Sequence, residues 1–235
     1  MAPAYEPEPS LEFLTFDLYG TVVDMQAGLT EAATPFLRSK GWPGRPHQFV
    51  TWWRRTHFEN SMIDALCDRG HTLYREIGHR SVSHVLERAG ISHSRKDVEW
   101  LVSLIEQLRP FPDVVEALTR LKSRYALAIL SNGDRDMLAN AVPYVGFEFD
   151  RTISVEEAGY FKPHFSTYAK AAELLGVEPA STMHVANHPF DCIGAKAAGM
   201  QAAYVDRRKR PFGDTPYQPD ITVGDFAELA RTLLD

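Results

Sequence analysis

At 235 residues, 44% of them hydrophobic, the chain is long enough for one full core and a smaller second lobe. A net charge of −6 excludes the broad basic surface with which proteins hold nucleic acid, and the densest basic run, Arg207-Arg208-Lys209-Arg210, reads as a solvated loop. Only two cysteines occur, Cys67 and Cys192, without CxxC spacing, which excludes a disulfide framework and a zinc site and points to a reducing cytoplasm. Residues 1–10 are rich in Pro and Glu and lack a basic region followed by an apolar stretch. They read as a disordered tail, neither signal peptide nor membrane anchor.

In chain order, the first strand signal is Leu11 to Phe16, which runs into Asp17-Leu18-Tyr19-Gly20-Thr21, where glycine permits a tight loop. An aspartate therefore sits at a strand's carboxyl end. From about Ala27 to Gln107 the pattern is helical: Phe49, Trp52, Trp53, Met62, Ile63 and Leu66 recur at spacings near three and four, and Val98, Leu101, Val102 and Ile105 continue the habit. This predicts a helical cap domain over 27–107, inserted after the first strand and loop, with Leu108 to Pro112 as the return hinge. The core domain is then discontinuous, 11–26 and 108–235.

A helix is predicted over Val114 to Ser123, then an apolar run, Ala126 to Leu130, that stops at Ser131-Asn132-Gly133. Such a run is how a strand buried on both faces of a parallel sheet reads. A second helix, Thr167 to Leu175, ends at Gly176, a suitable residue just past a helix end. Three more strands follow: Thr182 to Ala186, which stops at Asn187-His188-Pro189, then Gln201 to Val205, then Asp220 to Val223. Strand and helix alternate as in an α/β, doubly wound, mainly parallel sheet with a Rossmann-like core. In such sheets ligands bind beyond the carboxyl ends of the strands, where Asp17, Ser131 and Asn187-His188 would meet.

Phe16-Asp17-Leu18-Tyr19-Gly20-Thr21, Leu130-Ser131-Asn132-Gly133, Lys162-Pro163, and Asp191 followed by Gly194-Ala195-Lys196-Ala197-Ala198-Gly199 together resemble the four motifs of the haloacid dehalogenase superfamily. The order and spacing of the motifs carry the resemblance over nearly the whole chain. Tyr19 two residues after the aspartate, the helical insert, and Trp53-Arg54 in its first long helix are similar to the type II L-2-haloacid dehalogenases. The resemblance implies hydrolysis of short 2-haloalkanoic acids to 2-hydroxy acids through an aspartyl ester on Asp17, with no metal or other cofactor. It implies that Arg54 receives the departing halide, with Arg55 as the register alternative, and that Thr21, Ser131, Lys162 and Asp191 complete the catalytic set. Leu18, Tyr19, Trp53, Asn132, Tyr168, Asn187 and His188 are the implied substrate contacts. Type members read Ser-Ser-Asn where this chain has Ala186-Asn187-His188, so His188 is a departure from the pattern.

The chemistry agrees with the residue types. The superfamily's phosphatases carry a second aspartate two residues after the first, because an alkoxide leaving group needs a proton. Here that position is Tyr19, and a halide needs only solvation, which a guanidinium supplies. The phosphatases' fourth motif supplies a further carboxylate for Mg²⁺; here Ala186-Asn187 replaces it, so a hard cation would be held poorly. Lys162 is then left to stabilise Asp17 and Asp191 and to keep the nucleophile ionised. Asp24 reads as a helix-capping or turn residue. The expected partner is a small halogenated carboxylate, with no nucleic acid or membrane, and a homodimer stays open. Three rivals share the scaffold: a Mg²⁺-dependent phosphatase, a hydrolase of another carbon electrophile such as a strained cyclic amino acid, and a catalytically silent binding protein.

Overall fold

The computed structural model describes residues 11–68 and 70–235, so the tail expected over 1–10 lies outside the described residues. Six parallel strands form one sheet in the order β3-β2-β1-β4-β5-β6. They are β1 (Phe13–Phe16), β2 (Ala126–Ser131), β3 (Arg151–Ser154), β4 (Thr182–Ala186), β5 (Gln201–Val205) and β6 (Ile221–Val223). The four long apolar runs read from the sequence are central strands. β3 was not foreseen, because it is an edge strand with only Ile153 and Ser154 buried, too little apolar signal to stand out.

Alternate residues of the strands serve two apolar layers, as the pleat requires. Phe16, Ile129 and Val185 join Phe226 and Leu229 of α9 (Phe226–Leu234) and Val114 and Leu118 of α5 (Val114–Leu121). On the opposite face, Leu130 and Ile153 meet Tyr168 and Ala171 of α7 (Phe165–Leu175) and Ala195 of α8 (Pro189–Ala197). The sheet is thus covered by helices on both faces, which is what makes its central strands so uniformly apolar.

Between β1 and α5 the described chain is helical: α1 (Met25–Ser39), α2 (Pro46–Cys67), α3 (Tyr74–Arg88) and α4 (Arg95–Ser103). Asp24 caps α1 by accepting from the Ala27 N–H at 3.0 Å. The outgoing and returning chains are cross-bonded, with Asp24 N–H donating to the Arg109 carbonyl and Phe111 N–H to the Val22 carbonyl. Asp134, just before α6 (Arg135–Ala141), ties the two regions again: its carboxylate accepts from the N–H groups of Tyr74 and Arg75 and so caps α3 from outside. Among the described residues no helix is long and apolar enough to cross a membrane.

Candidate active site

Strand order reverses beside β1, between β1 and β4, and this is where the polar residues gather. Asp17 follows β1 directly; its N–H donates to the Val185 carbonyl of β4 at 3.0 Å, which fixes where the carboxylate points. Gly20 has φ +97, and a Cβ there would come 3.1 Å from Arg54 Nη2 and 3.1 Å from His188 Cε1. The loop needs glycine for its backbone and for its neighbours. Thr21 Oγ1 donates to Asp17 Oδ2 at 2.6 Å and accepts from the Asn187 N–H at 2.9 Å, so one hydroxyl ties the β1 loop to the β4 loop.

Lys162 stands between two carboxylates. Its Nζ donates to Asp191 Oδ2 at 2.9 Å and to Asp17 Oδ1 at 3.3 Å, with all three side chains buried or nearly so. Its own N–H is held by Asn132 Oδ1 at 3.0 Å. The other Asp191 oxygen accepts from Tyr168 Oη at 2.6 Å and lies 3.0 Å from His184 Nε2, off the ring's N–H direction. Thr15 Oγ1 shares a hydrogen bond with His184 Nδ1 at 2.9 Å.

These partners decide the charges. Burial alone would raise the Asp17 carboxyl, but the Lys162 ammonium, helped by His188, outweighs it and holds the group below the usual carboxylate range. Asp191 faces the same burial and is held well below that range, first by His184 and then by Lys162. Burial opposes the Lys162 charge in turn, yet Asp191 and Asp17 together keep its pKa above the ordinary value. Asp17 is therefore an ionised carboxylate at neutral pH.

A cavity of about 600 Å³ opens above Asp17. Tyr19, Asn132, His188 and Phe190 face it from the loops at the strand ends, and Arg54, His57, Phe58 and Tyr74 from α2 and α3. Tyr19 and Tyr74 stack at 5.9 Å and Phe58 meets Phe190 at 4.4 Å, which makes the walls largely aromatic. Arg54 Nη1 donates to Gln26 Oε1 at 2.9 Å, and its Nε is buried without a partner. Arg55 also borders the cavity, but its side chain is 78% exposed and pairs with Glu59, whereas Arg54 is largely buried, so the register favours Arg54.

Several expected contacts are placed elsewhere. Trp53 is fully buried in the packing of α2 and does not border the cavity, because it falls on that helix's core face. Leu18 likewise turns its side chain into the core. Tyr168 and Asn187 do not border the cavity: Tyr168 donates to Asp191, and the Asn187 backbone N–H donates to Thr21. Ser131 is buried, its Oγ accepting from the Gly133 N–H at 3.2 Å. Residues not foreseen are His184 behind Asp191, Gln26 on Arg54, and His57 and Tyr74 in the wall.

The basic run is the largest correction. Arg207 is not solvated: its guanidinium lies 3.8 Å from the Phe111 ring, and it donates through Nε to the Thr21 carbonyl and through Nη1 to Asp113, both at 3.1 Å. Arg208 and Arg210, which follow it, line the cavity.

The donor set does not suit a divalent cation. Lys162 holds the place between the two carboxylates, and the two oxygens of Asp191 accept from Lys162 and Tyr168 respectively. Among the described residues no group of three His, Cys, Asp or Glu converges to hold a metal ion. What the geometry offers is an ionised carboxylate on the floor of an aromatic cavity with a buried guanidinium nearby. That pairing suits attack on an electrophile whose leaving group is an anion.

Comparison with known proteins bears on the same point. A (S)-2-haloacid dehalogenase of Xanthobacter autotrophicus is 33% identical over 201 residues, 84% of this chain and 76% of that one. The haloacetate dehalogenase H-2 of Moraxella sp. (strain B) is 29% identical over 216 residues, 91% of this chain and 93% of that protein. The structure of the L-2-haloacid dehalogenase from Xanthobacter autotrophicus with chloropropionic acid covalently bound superposes with a TM-score of 0.82 at 28% identity, covering 94% of this chain and 97% of that one. Residues 12–199 match the haloacid dehalogenase-like hydrolases as a family. With the parallel sheet, the motif loops at its carboxyl edge and most of the chain matched, the protein belongs to the haloacid dehalogenase-like hydrolase family.

Proposed function

We propose that the protein hydrolyses short (S)-2-haloalkanoic acids to 2-hydroxy acids. The observation that carries the reading is the ionised Asp17, held by Lys162, beneath a cavity that also contains the buried Arg54. Relatives named for (S)-2-haloacids and for haloacetate, and a neighbour with chloropropionic acid covalently bound, support the substrate class.

In this reading Asp17 displaces halide from C2 and becomes an ester, Arg54 receives the halide, and water then cleaves the ester at the aspartyl carbonyl. Tyr19, Asn132 and His188 contact the substrate. Thr21, Ser131, Lys162, Tyr168, Asn187 and Asp191 hold the nucleophile and its surroundings. Residues 27–107 form the cap and 11–26 with 108–235 the core. The compartment we propose is the cytoplasm, where the unpaired Cys67 and Cys192 stay reduced.

The test is halide release from both 2-chloropropionate enantiomers in EDTA, set against p-nitrophenyl phosphate with Mg²⁺. Halide release from the (S) form with chelator present, and inverted product, is expected. In a single turnover with excess enzyme in ¹⁸O-water the label should enter Asp17 and not the hydroxy acid. Turnover of the phosphate ester alone would replace this reading with the phosphatase one.

A further inference from the structure

The cavity is larger and more basic than chloropropionate requires. Its volume of about 600 Å³ falls in the range that holds drug-sized ligands. Of the described residues that line it, Asp17 alone is acidic, whereas Arg54, Arg55, Arg208 and Arg210 are basic, in a chain whose net charge is −6. Arg55 is answered by Glu59, and Arg54 would be answered by the departing halide. Arg208 and Arg210 have no such counterpart: among the described residues neither guanidinium makes a hydrogen bond or an ion pair.

The loop that carries them is anchored on the site. Arg207 bonds to the Thr21 carbonyl and to Asp113, and the Asp206 carboxylate accepts from the Arg210 N–H at 2.9 Å. Between the two arginines Lys209 takes φ +50, a left-handed turn that side-chain-bearing residues seldom adopt. Arg208 and Arg210 border the cavity and Lys209 does not. Arg208 also comes near enough to Arg54 for its charge to oppose that of Arg54. Guanidiniums that repel one another in a shared cavity are relieved by anions placed against each. A monocarboxylate with its halide on Arg54 and its reacting end at Tyr19, Asn132 and His188 brings no anion for the far pair.

We propose that Arg208 and Arg210 form a subsite for a second carboxylate, so that the cavity takes 2-halodicarboxylates between succinate and adipate in length. The proposal rests on the function above and leaves its chemistry unchanged: Asp17 displaces halide from C2, water supplies the hydroxyl, and halide and one proton leave with a 2-hydroxydicarboxylate. The far carboxylate, with two oxygens in a plane, matches the paired N–H groups of a guanidinium. Both arginines are exposed, which puts the subsite at the cavity mouth and holds the gain to the scale of a charge-assisted hydrogen bond at a wet surface.

The experiment compares kcat/KM for halide release from two pairs matched in carbon count, (S)-2-chlorosuccinate with (S)-2-chlorobutanoate and 2-chloroadipate with 2-chlorohexanoate. Wild type is expected to prefer the dicarboxylate by about tenfold in at least one pair, chiefly through KM. In Arg208→Gln and in Arg210→Gln the preference should fall below about threefold. Lys209→Gln, which removes the same charge outside the cavity, should keep it. A wild-type preference below about threefold in both pairs would overturn the proposal. So would a preference unchanged in either arginine variant, as when that arginine holds the carboxylate common to both substrates. An equal loss in Lys209→Gln would also overturn it, by showing a general attraction for anions. Failure of the underlying reading looks different: wild type would release halide from none of the four acids. Calorimetric titration with adipate and hexanoate then still reads the subsite, with tighter adipate binding that Arg208→Gln abolishes expected and equal binding decisive against it.

Discussion

Arg54 is the residue whose environment most plainly asks for a ligand. Burial, and then the charge of Arg208, bring its pKa down to about 10, and of its polar atoms Nη1 is bonded to Gln26 while Nε is buried with none. A guanidinium kept this short of partners gains by meeting an anion, and a departing halide supplies one. Arg54→Gln should therefore slow halide release by roughly a hundredfold, the scale of losing one charge-stabilising donor. A loss below about threefold in a halide assay would contradict the assignment. Asp17→Asn keeps size and shape but not the charge, and should cost more than about a thousandfold with an unchanged circular dichroism spectrum. Slow deamidation back to aspartate must be excluded by mass. Asp17 was legible because it stands at a strand end, whereas Arg54 was singled out only by the family resemblance of Trp53-Arg54, since helix periodicity alone would leave it facing solvent. His184 and Arg207 were not, since their partners Thr15 and Thr21 lie 169 and 186 residues away along the chain.

At the scale of elements, α7 and α8 meet so closely that one hydrogen decides their spacing. A Cβ on Gly194 would lie 2.6 Å from Oη and Cε2 of Tyr168, a fully buried ring with no room to retreat. Alanine in a helix interior ordinarily gains about 1 kcal/mol over glycine. Overpacking of this kind costs about 1–3 kcal/mol, so the clash wins. Gly194→Ala should lower the Tm and also the activity, because the displaced hydroxyl is the one that donates to Asp191. A raised Tm would show that the helices part without strain. The elements themselves were largely readable, since β1, β2, β4 and β5 are apolar runs ended by polar loops. Two failed for physical reasons. β3 is short and half-exposed, and the 206–210 loop hides one stacked, bonded arginine among charged neighbours that composition cannot tell apart.

For the whole molecule, the consequence of this architecture is a cluster of three buried charges at the centre of the sheet, one ammonium between two carboxylates. In the sequence only the family resemblance announces it, because Asp17, Lys162 and Asp191 are far apart along the chain and come together when the strand order places β1 beside β4. Asp191 has a folded pKa below its unfolded value, so its contribution to stability is present above about pH 3.9 and is lost as pH falls toward the folded value. Lys162 is raised, so its contribution is present below about pH 10.4 and is lost as pH rises through the folded value. The cluster thus acts at full strength from about pH 4 to pH 10. Lys162→Met removes the ammonium and leaves two carboxylates facing each other in a buried site, which should cost about 3–5 kcal/mol at pH 7. Without the ammonium, burial and mutual repulsion raise both carboxyl groups, and lowering the pH lets them take up protons. The deficit relative to wild type should then shrink between pH 7 and pH 5 in urea unfolding, the reverse of ordinary acid destabilisation. A deficit that stays constant with pH would mean that the lost methylene packing, and not the charge balance, is what Lys162 contributes to the fold.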